Sequence, residues 1–280
     1  MRLGGPVFVK TEDPEELARA HRALGYRAAY CPPVQLADAD RVRAVREAFE
    51  RHDVVIAEVG VWNNLMEVDD AKRKKNLQAN KEALALAEEI GALCAVNITG
   101  SLSDDAWDGP DPANLTQEAF EIAVMNARDI LRAVKPKRAY FTYEMMPWAI
   151  PDGAEAYLAL IDSVDHPQFG VHLDVANIIN SVRRYYFSTD VIQECIAELG
   201  EHIVSCHLKD VRLEGRFTTH LEEVRVGTGG LDLRAYLQGI YDLSHQPPMM
   251  LEHLKSEAEY DEARKYIVEL AEEMGITFAK

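Results

Sequence analysis

Eight short apolar runs alternate with eight longer amphipathic segments along 280 residues, and this alternation predicts a single (β/α)8 barrel. Two further observations point the same way. Eight strand–helix units need roughly 250 residues, close to the length available. No Pro-, Gly- or Ser-rich stretch divides the chain, so residues 1–280 read as one TIM-barrel domain. An open doubly wound sheet produces the same local pattern; the number of units favours closure.

The elements follow in order. Residues 3–9 form the first apolar run, and 14–24 carry a helical pattern. A second run covers 27–31. Residues 38–51 read as a helix, with Val42, Val45 and Phe49 on one stripe. Residues 54–61 are the third strand. The longest helix covers 68–90 and stops at Gly91. Residues 93–98 are the fourth strand, and 116–134 a helix. The fifth strand and its helix are 139–144 and 153–164. The sixth pair is 169–175 and 189–199, stopped by Gly200. The seventh is 203–210 and 231–243. The eighth is 249–253 and 257–274, stopped by Gly275. The longest loops are 101–115 and 214–228.

Composition narrows the function classes. Thirty Lys and Arg against forty-seven Asp and Glu give a net charge of −17. Neutralising phosphates needs a basic face, so nucleic acid is not an expected partner. An anionic membrane surface is disfavoured for the same reason. No window approaches the roughly eighteen unbroken apolar residues of a membrane span. The four cysteines Cys31, Cys94, Cys195 and Cys206 are widely spaced and form no C-x-x-C pair, which argues against a zinc knuckle. The N-terminus lacks the apolar stretch of a signal peptide, and a cytoplasmic location is expected.

The ends of the later strands carry the chemistry. In a barrel the site is built at the carboxyl ends of the strands. The fifth strand, AYFTYE, ends in Glu144, and the sixth, FGVHLD, in Asp174. The seventh, IVSCHLKD, carries His207 and Asp210; the eighth, MMLEH, ends in Glu252 and His253. A single charged strand end is usually ion-paired or wetted. Four in succession on one rim point to a shared site. Two Glu, one Asp and one His are rich in oxygen, which suits Mn²⁺, Mg²⁺ or Co²⁺ better than a structural zinc.

Strand alternation adds detail. His172 lies on the same side as Asp174, either supporting it, contacting substrate or bonded within the core. His207 and Lys209 share one side of the seventh strand. Asp210 either orients His207 or caps the next segment. Of Glu252 and His253 only one faces the centre, and Glu252 is chosen. Glu58, set in the apolar run of the third strand, either binds substrate, orients a ligand or makes a structural ion pair. Trp62 and Trp107 fall in rim-side loops, where aromatic faces pack against sugar C–H surfaces or cover the core. GTGGLD at residues 227–232 reads as a glycine turn before a helix, with an anion cradle as the alternative. No G-x-G-x-x-G after a strand, P-loop or G-x-S-x-G elbow is present.

EMMPWAIPD, GVHLDVANII, SCHLKD, GTGGLD and LEHL, in this order, resemble the xylose isomerase-like TIM-barrel superfamily of sugar isomerases and epimerases. The ketose 3-epimerases are the nearest functional models. The resemblance implies that Glu144, Asp174, His207 and Glu252 are metal ligands, with Mn²⁺ foremost. It also implies that Glu144 and Glu252 are an acid–base pair on opposite faces of a sugar. Where that family often has a substrate-contacting His three residues after the sixth-strand Asp, this chain has Asn177. Arg212 lies near the position of a family Arg. The superfamily also contains endonuclease IV, which the charge of −17 disfavours here.

The implied reaction is proton transfer next to a carbonyl through a metal-stabilised enediolate. The partner is a small carbohydrate, and a homo-oligomer is expected by resemblance. The alternative is a lyase on the same barrel: the same enolate, with a leaving group β to the carbonyl, eliminates, as in inosose dehydratases or deglycosidases of 3-oxo-glycosides. A third reading is a non-catalytic sugar-binding barrel, against which the complete ligand set argues.

Overall fold

In the computed structural model, which describes residues 1–279, the apolar runs become eight parallel strands closed on themselves. The first seven are β1 (Leu3–Gly4), β2 (Ala28–Tyr30), β3 (Val55–Gly60), β4 (Cys94–Asn97), β5 (Tyr140–Glu144), β6 (Phe169–Leu173) and β7 (Ile203–Leu208). A hairpin of β8 (Asp210–Glu214) and β9 (His220–Val224) follows, and β10 (Met249–Leu251) is the eighth barrel strand. Each barrel strand pairs with its neighbour in chain order, and β1 closes the ring against β10 through Leu3 opposite Met249.

Helices cover the outside. They are α1 (Pro14–Ala23), α2 (Ala39–Arg51), α3 (Asp70–Ile90), α4 (Gln117–Val134) and α5 (Ala154–Val164) in the first part of the chain. Two short helices, α6 (Val175–Ile178) and α7 (Val182–Tyr186), precede α8 (Ser188–Leu199), α9 (Leu233–Asp242) and α10 (Glu257–Glu273).

Local chemistry sets the helix starts. The side chains of Asp13, Asp38, Asp69, Thr116, Asp232 and Ser256 each accept from a backbone N–H in the first turn that follows. Gly91 ends α3 in the left-handed conformation at φ 82°, as its position implies. Gly200 differs: at φ −46° it carries the chain into a short 3-10 turn, Gly200–His202.

Strand alternation sorts the barrel into two sides. Phe141, Tyr143, Phe169, Val171, Leu173, Cys206, Leu208, Met249 and Leu251 join the main core under the helices. The intervening Thr142, Glu144, His172, Ser205 and His207 form the other row, and all are buried.

Three departures from expectation matter. The first strand stops at Gly4 because Gly5 and Pro6 follow, and Pro6 has no N–H for a ladder. After β6 the chain makes α6 and α7 before it reaches the expected helix, α8. The excursion at 214–228 is not a plain loop. The antiparallel pair β8 and β9 stands off the barrel, so the seventh strand ends at Leu208 instead of Asp210.

Asp210 anchors the hairpin to the turn that follows it. Its carboxylate accepts from the amides of Val211 (2.9 Å), Gly227 (3.0 Å), Gly229 (2.8 Å) and Leu231 (3.1 Å). The glycine turn therefore cradles an anion, and the anion is the chain's own. A Cβ on Gly229 would stand 2.2 Å from Asp210 Oδ1 and 2.3 Å from the Val211 carbonyl. Gly229→Ala is expected to lower stability by about 2–3 kcal/mol, as overpacking does. The control is Gly215→Ala at the hairpin turn, where an added Cβ meets no described atom within 4 Å; it should leave the urea midpoint nearly unchanged.

Candidate metal centre

Four side chains from four neighbouring strands meet at the carboxyl end of the barrel. Glu144 ends β5, Asp174 follows β6, His207 lies in β7 and Glu252 follows β10. One donor atom from each lies within 4.8 Å of the others. His207 Nδ1 is the common point, 2.9 Å from Glu144 Oε1, 3.0 Å from Glu252 Oε2 and 3.4 Å from Asp174 Oδ2. Glu144, Asp174 and His207 are buried, and the Glu252 side chain is 15% exposed.

The first turn of α6 positions two of the three carboxylates. Asp174 is the N-cap of α6: its Oδ1 accepts from the Asn177 amide at 3.1 Å, which leaves Oδ2 for the cluster. Asn177 then returns its own side chain, donating from Nδ2 to Glu144 Oε1 (3.1 Å) and the Met145 carbonyl (3.0 Å). So Asn177 faces a candidate ligand and aligns it.

Glu58 and His172 lie beneath the cluster, enclosed, and not at the rim where a substrate would enter. Glu58 Oε2 is 2.8 Å from His172 Nε2 and accepts from Ser205 Oγ at 3.1 Å. Its Oε1 is 3.3 Å from His207 Nε2. The two imidazoles meet edge to face, with centroids 4.2 Å apart. The carboxylate on Nε2 fixes the ring so that Nδ1 faces the three upper carboxylates, and in the neutral ring it would keep the proton on Nε2. Glu58 thus bridges His172 and His207 beneath the cluster.

The loop residues are placed differently. Trp62 is 43% exposed and folds back on the end of β3, where a Cβ on Gly60 would lie 2.7 Å from its indole nitrogen. Trp107 sits 42% exposed in the loop after β4. That loop is tied to the one after β5 by Trp148, whose indole N–H donates to the Asp108 carbonyl at 2.7 Å. Arg212 is not brought to the cluster: it stands exposed on β8, held by Glu214 (2.7 Å) and Glu222 (3.4 Å). The hairpin explains this, because it carries residue 212 off the barrel.

For one central side chain the sequence shows a direction and no role. Lys209 follows His207 by two, shares its inward side and is 1% exposed. Its Nζ lies 2.8 Å from Glu252 Oε2, 2.9 Å from Asp174 Oδ2 and 3.6 Å from Glu144 Oε1. Ser205, two residues before His207, completes the same column.

Electrostatics follow from burial and these contacts. Burial pushes Glu144 up, and its carboxyl titrates above the usual range despite His207 and Lys209. Burial opposes the charged form of Asp174 too, but Lys209 and His207 outweigh it and hold Asp174 well below its usual value. Burial favours neutral His207, yet Glu252, Glu144 and Glu58 outweigh it and raise its pKa well above the ordinary imidazole value. A divalent ion entering this cluster would compete with protons for Glu144 and His207, whose affinities for a proton are both raised. Metal affinity is therefore expected to fall as pH drops, by about one decade per pH unit for each proton displaced. It should level off only above the raised His207 value. Mn²⁺ titrations across neutral pH read this slope.

The donor set fits a hard or borderline divalent ion: three carboxylates and one imidazole, with Asp174 Oδ2 and Glu252 Oε2 both buried without a directed hydrogen bond. The model of the xylose isomerase-like TIM barrel family matches residues 18–272. The chain belongs to this family. Among solved structures, this family member is similar to endonuclease IV from Thermus thermophilus, with TM-score 0.72 and 16% identity over 98% of this chain and 100% of that one. It is similar to 3-keto-D-glucoside 4-epimerase from E. coli, with TM-score 0.70 and 13% identity over 97% and 99%. A third is a xylose isomerase-like TIM barrel protein from Mycobacterium smegmatis in complex with magnesium, with TM-score 0.67 and 17% identity over 91% and 87%. At these identities the likeness is one of fold. No curated protein matches the chain. No helix among the described residues is long and apolar enough to cross a membrane.

Proposed function

We propose that this barrel is a divalent-metal-dependent isomerase or epimerase of a small carbohydrate, moving a proton on the carbon next to a carbonyl. The observation that carries this reading is the cluster of Glu144, Asp174, His207 and Glu252, with both glutamates approaching a single imidazole nitrogen. A divalent ion held there, Mn²⁺ foremost and Mg²⁺ or Co²⁺ next, supplies Lewis-acid stabilisation of the negative charge that develops as the proton leaves.

The chain's own groups do the rest. Glu144 and Glu252 come from β5 and β10, with β6 and β7 between them in the ring. They can therefore address a bound sugar from two sides. One carboxylate takes the carbon-bound proton and the other delivers one to the opposite face. Asn177 keeps Glu144 aligned through its 3.1 Å hydrogen bond. Glu58 keeps the imidazole of His207 turned toward the ligand cluster. The likeness to an endonuclease does not extend to this reading, because a net charge of −17 offers phosphates no general attraction.

The test is incubation of metal-loaded protein in D₂O with free ketoses, inososes and 3-oxo-glycosides, followed by NMR and mass spectrometry. Epimer or isomer carrying one solvent deuterium supports the proposal. Release of water or an aglycone, with no deuterated isomer, overturns it in favour of elimination.

A further inference from the structure

Three carboxylates, two of them buried, converge on one point and need a cation. His207 Nδ1 faces that point from below. Above it, Lys209 Nζ contacts Asp174 Oδ2, Glu252 Oε2 and Glu144 Oε1. These are the same three oxygen atoms that face His207 Nδ1. A divalent ion bound by them would sit about 2.0–2.6 Å from each. It would occupy the space the ammonium fills.

The character of the contact is informative. Asp174 Oδ2, Glu252 Oε2 and Lys209 Nζ are all buried, and none makes a directed hydrogen bond. The ammonium sits at ion-pair distance between the three oxygens, in the position a spherical ion would take. Lysine suits this role because its charge is compact and its four-carbon stem is flexible. A landing place lies outside the cluster: Glu223 on β9 is 36% exposed and is joined to the cluster through His253, whose Nε2 lies 3.5 Å from Glu252 Oε2. His253 Nδ1, 3.2 Å from Glu223 Oε2, marks the same side.

We propose that Lys209 is a built-in competitor for the metal, holding the ion's place in the metal-free barrel and withdrawing toward Glu223 when a divalent ion enters. This rests on the metal reading above. It explains how a cluster of three converging carboxylates stays folded before loading, and it sets metal affinity below what the bare donor set would give.

The test compares Mn²⁺ affinity and metal-free melting temperature in the wild type and Lys209→Met. The variant is expected to bind Mn²⁺ at least tenfold more tightly and to melt lower without metal. Equal or weaker binding by the variant overturns the proposal. Absence of binding by both proteins overturns the metal reading itself, which keeps the two failures distinct. Should the variant not fold without metal, acylation of lysines in the wild type decides. Labelling at Lys209 should rise severalfold on Mn²⁺ loading, and unchanged or reduced labelling contradicts the proposal.

Discussion

Glu144→Gln and Glu252→Gln are each expected to slow carbon-proton exchange by about a hundred- to ten-thousand-fold at saturating Mn²⁺, with the barrel still folded. The amide keeps the shape and one coordinating oxygen but removes the proton acceptor. The two variants should differ in what survives. If Glu144 and Glu252 serve opposite faces, each variant retains slow exchange from the face its partner serves, and neither completes the inversion. NMR in D₂O separates wash-out of the substrate proton from formation of product. Full turnover in both variants would show that the acid–base pair lies elsewhere.

The second large effect is expected at Glu58, which has no route to substrate. Glu58 carries His172, His207 and Ser205 at once and is 1% exposed. Burial alone would raise its pKa, but the two imidazoles outweigh this and hold it well below the usual carboxylate range. Glu58→Gln replaces one acceptor oxygen with a donor. Either His207 Nε2 or the His172–Ser205 pair then loses its partner. If His207 changes tautomer to compensate, Nδ1 gains a proton and can no longer ligate. Stability is expected to fall by about 3 kcal/mol, the scale for breaking a buried charged contact. Metal affinity is expected to fall by about ten- to a hundredfold, as for other carboxylates behind a ligating histidine. Ser205→Ala, which removes one hydrogen bond of 3.1 Å, should cost only about 1 kcal/mol. Denaturation of chelator-treated protein and Mn²⁺ titration measure both quantities.

The barrel is legible in the sequence because parallel strands buried on both faces read as apolar runs, and a charged residue at the end of such a run stands out. Glu144, Asp174 and Glu252 are visible for that reason, and His207 because it interrupts the apolar sequence of β7. The hairpin is not visible. In β8, Val211 and Leu213 alternate with polar neighbours, but each strand has only five residues and β9, HLEEV, does not alternate, so the pair cannot be told from a polar loop. The same gap misplaces Arg212. The sequence leaves Asp210 as either an orienter or a cap, and the structure makes it a cap for a turn seventeen and more residues away. Such a partner has no local signal. Lys209 is legible in direction but not in role, since a lysine near a rim ordinarily reaches solvent. Only the closure of the ring brings its Nζ among carboxylates from the ends of β5, β6 and β10.

Solvent-deuterium exchange with metal removed and restored tests the central claim most directly. Protein stripped by a chelator should leave the carbon next to the carbonyl unlabelled. One equivalent of Mn²⁺ per chain should restore labelling, and Asp174→Asn should raise the Mn²⁺ needed. Exchange at the full rate in stripped protein, or restoration that is indifferent to Asp174, would contradict the account.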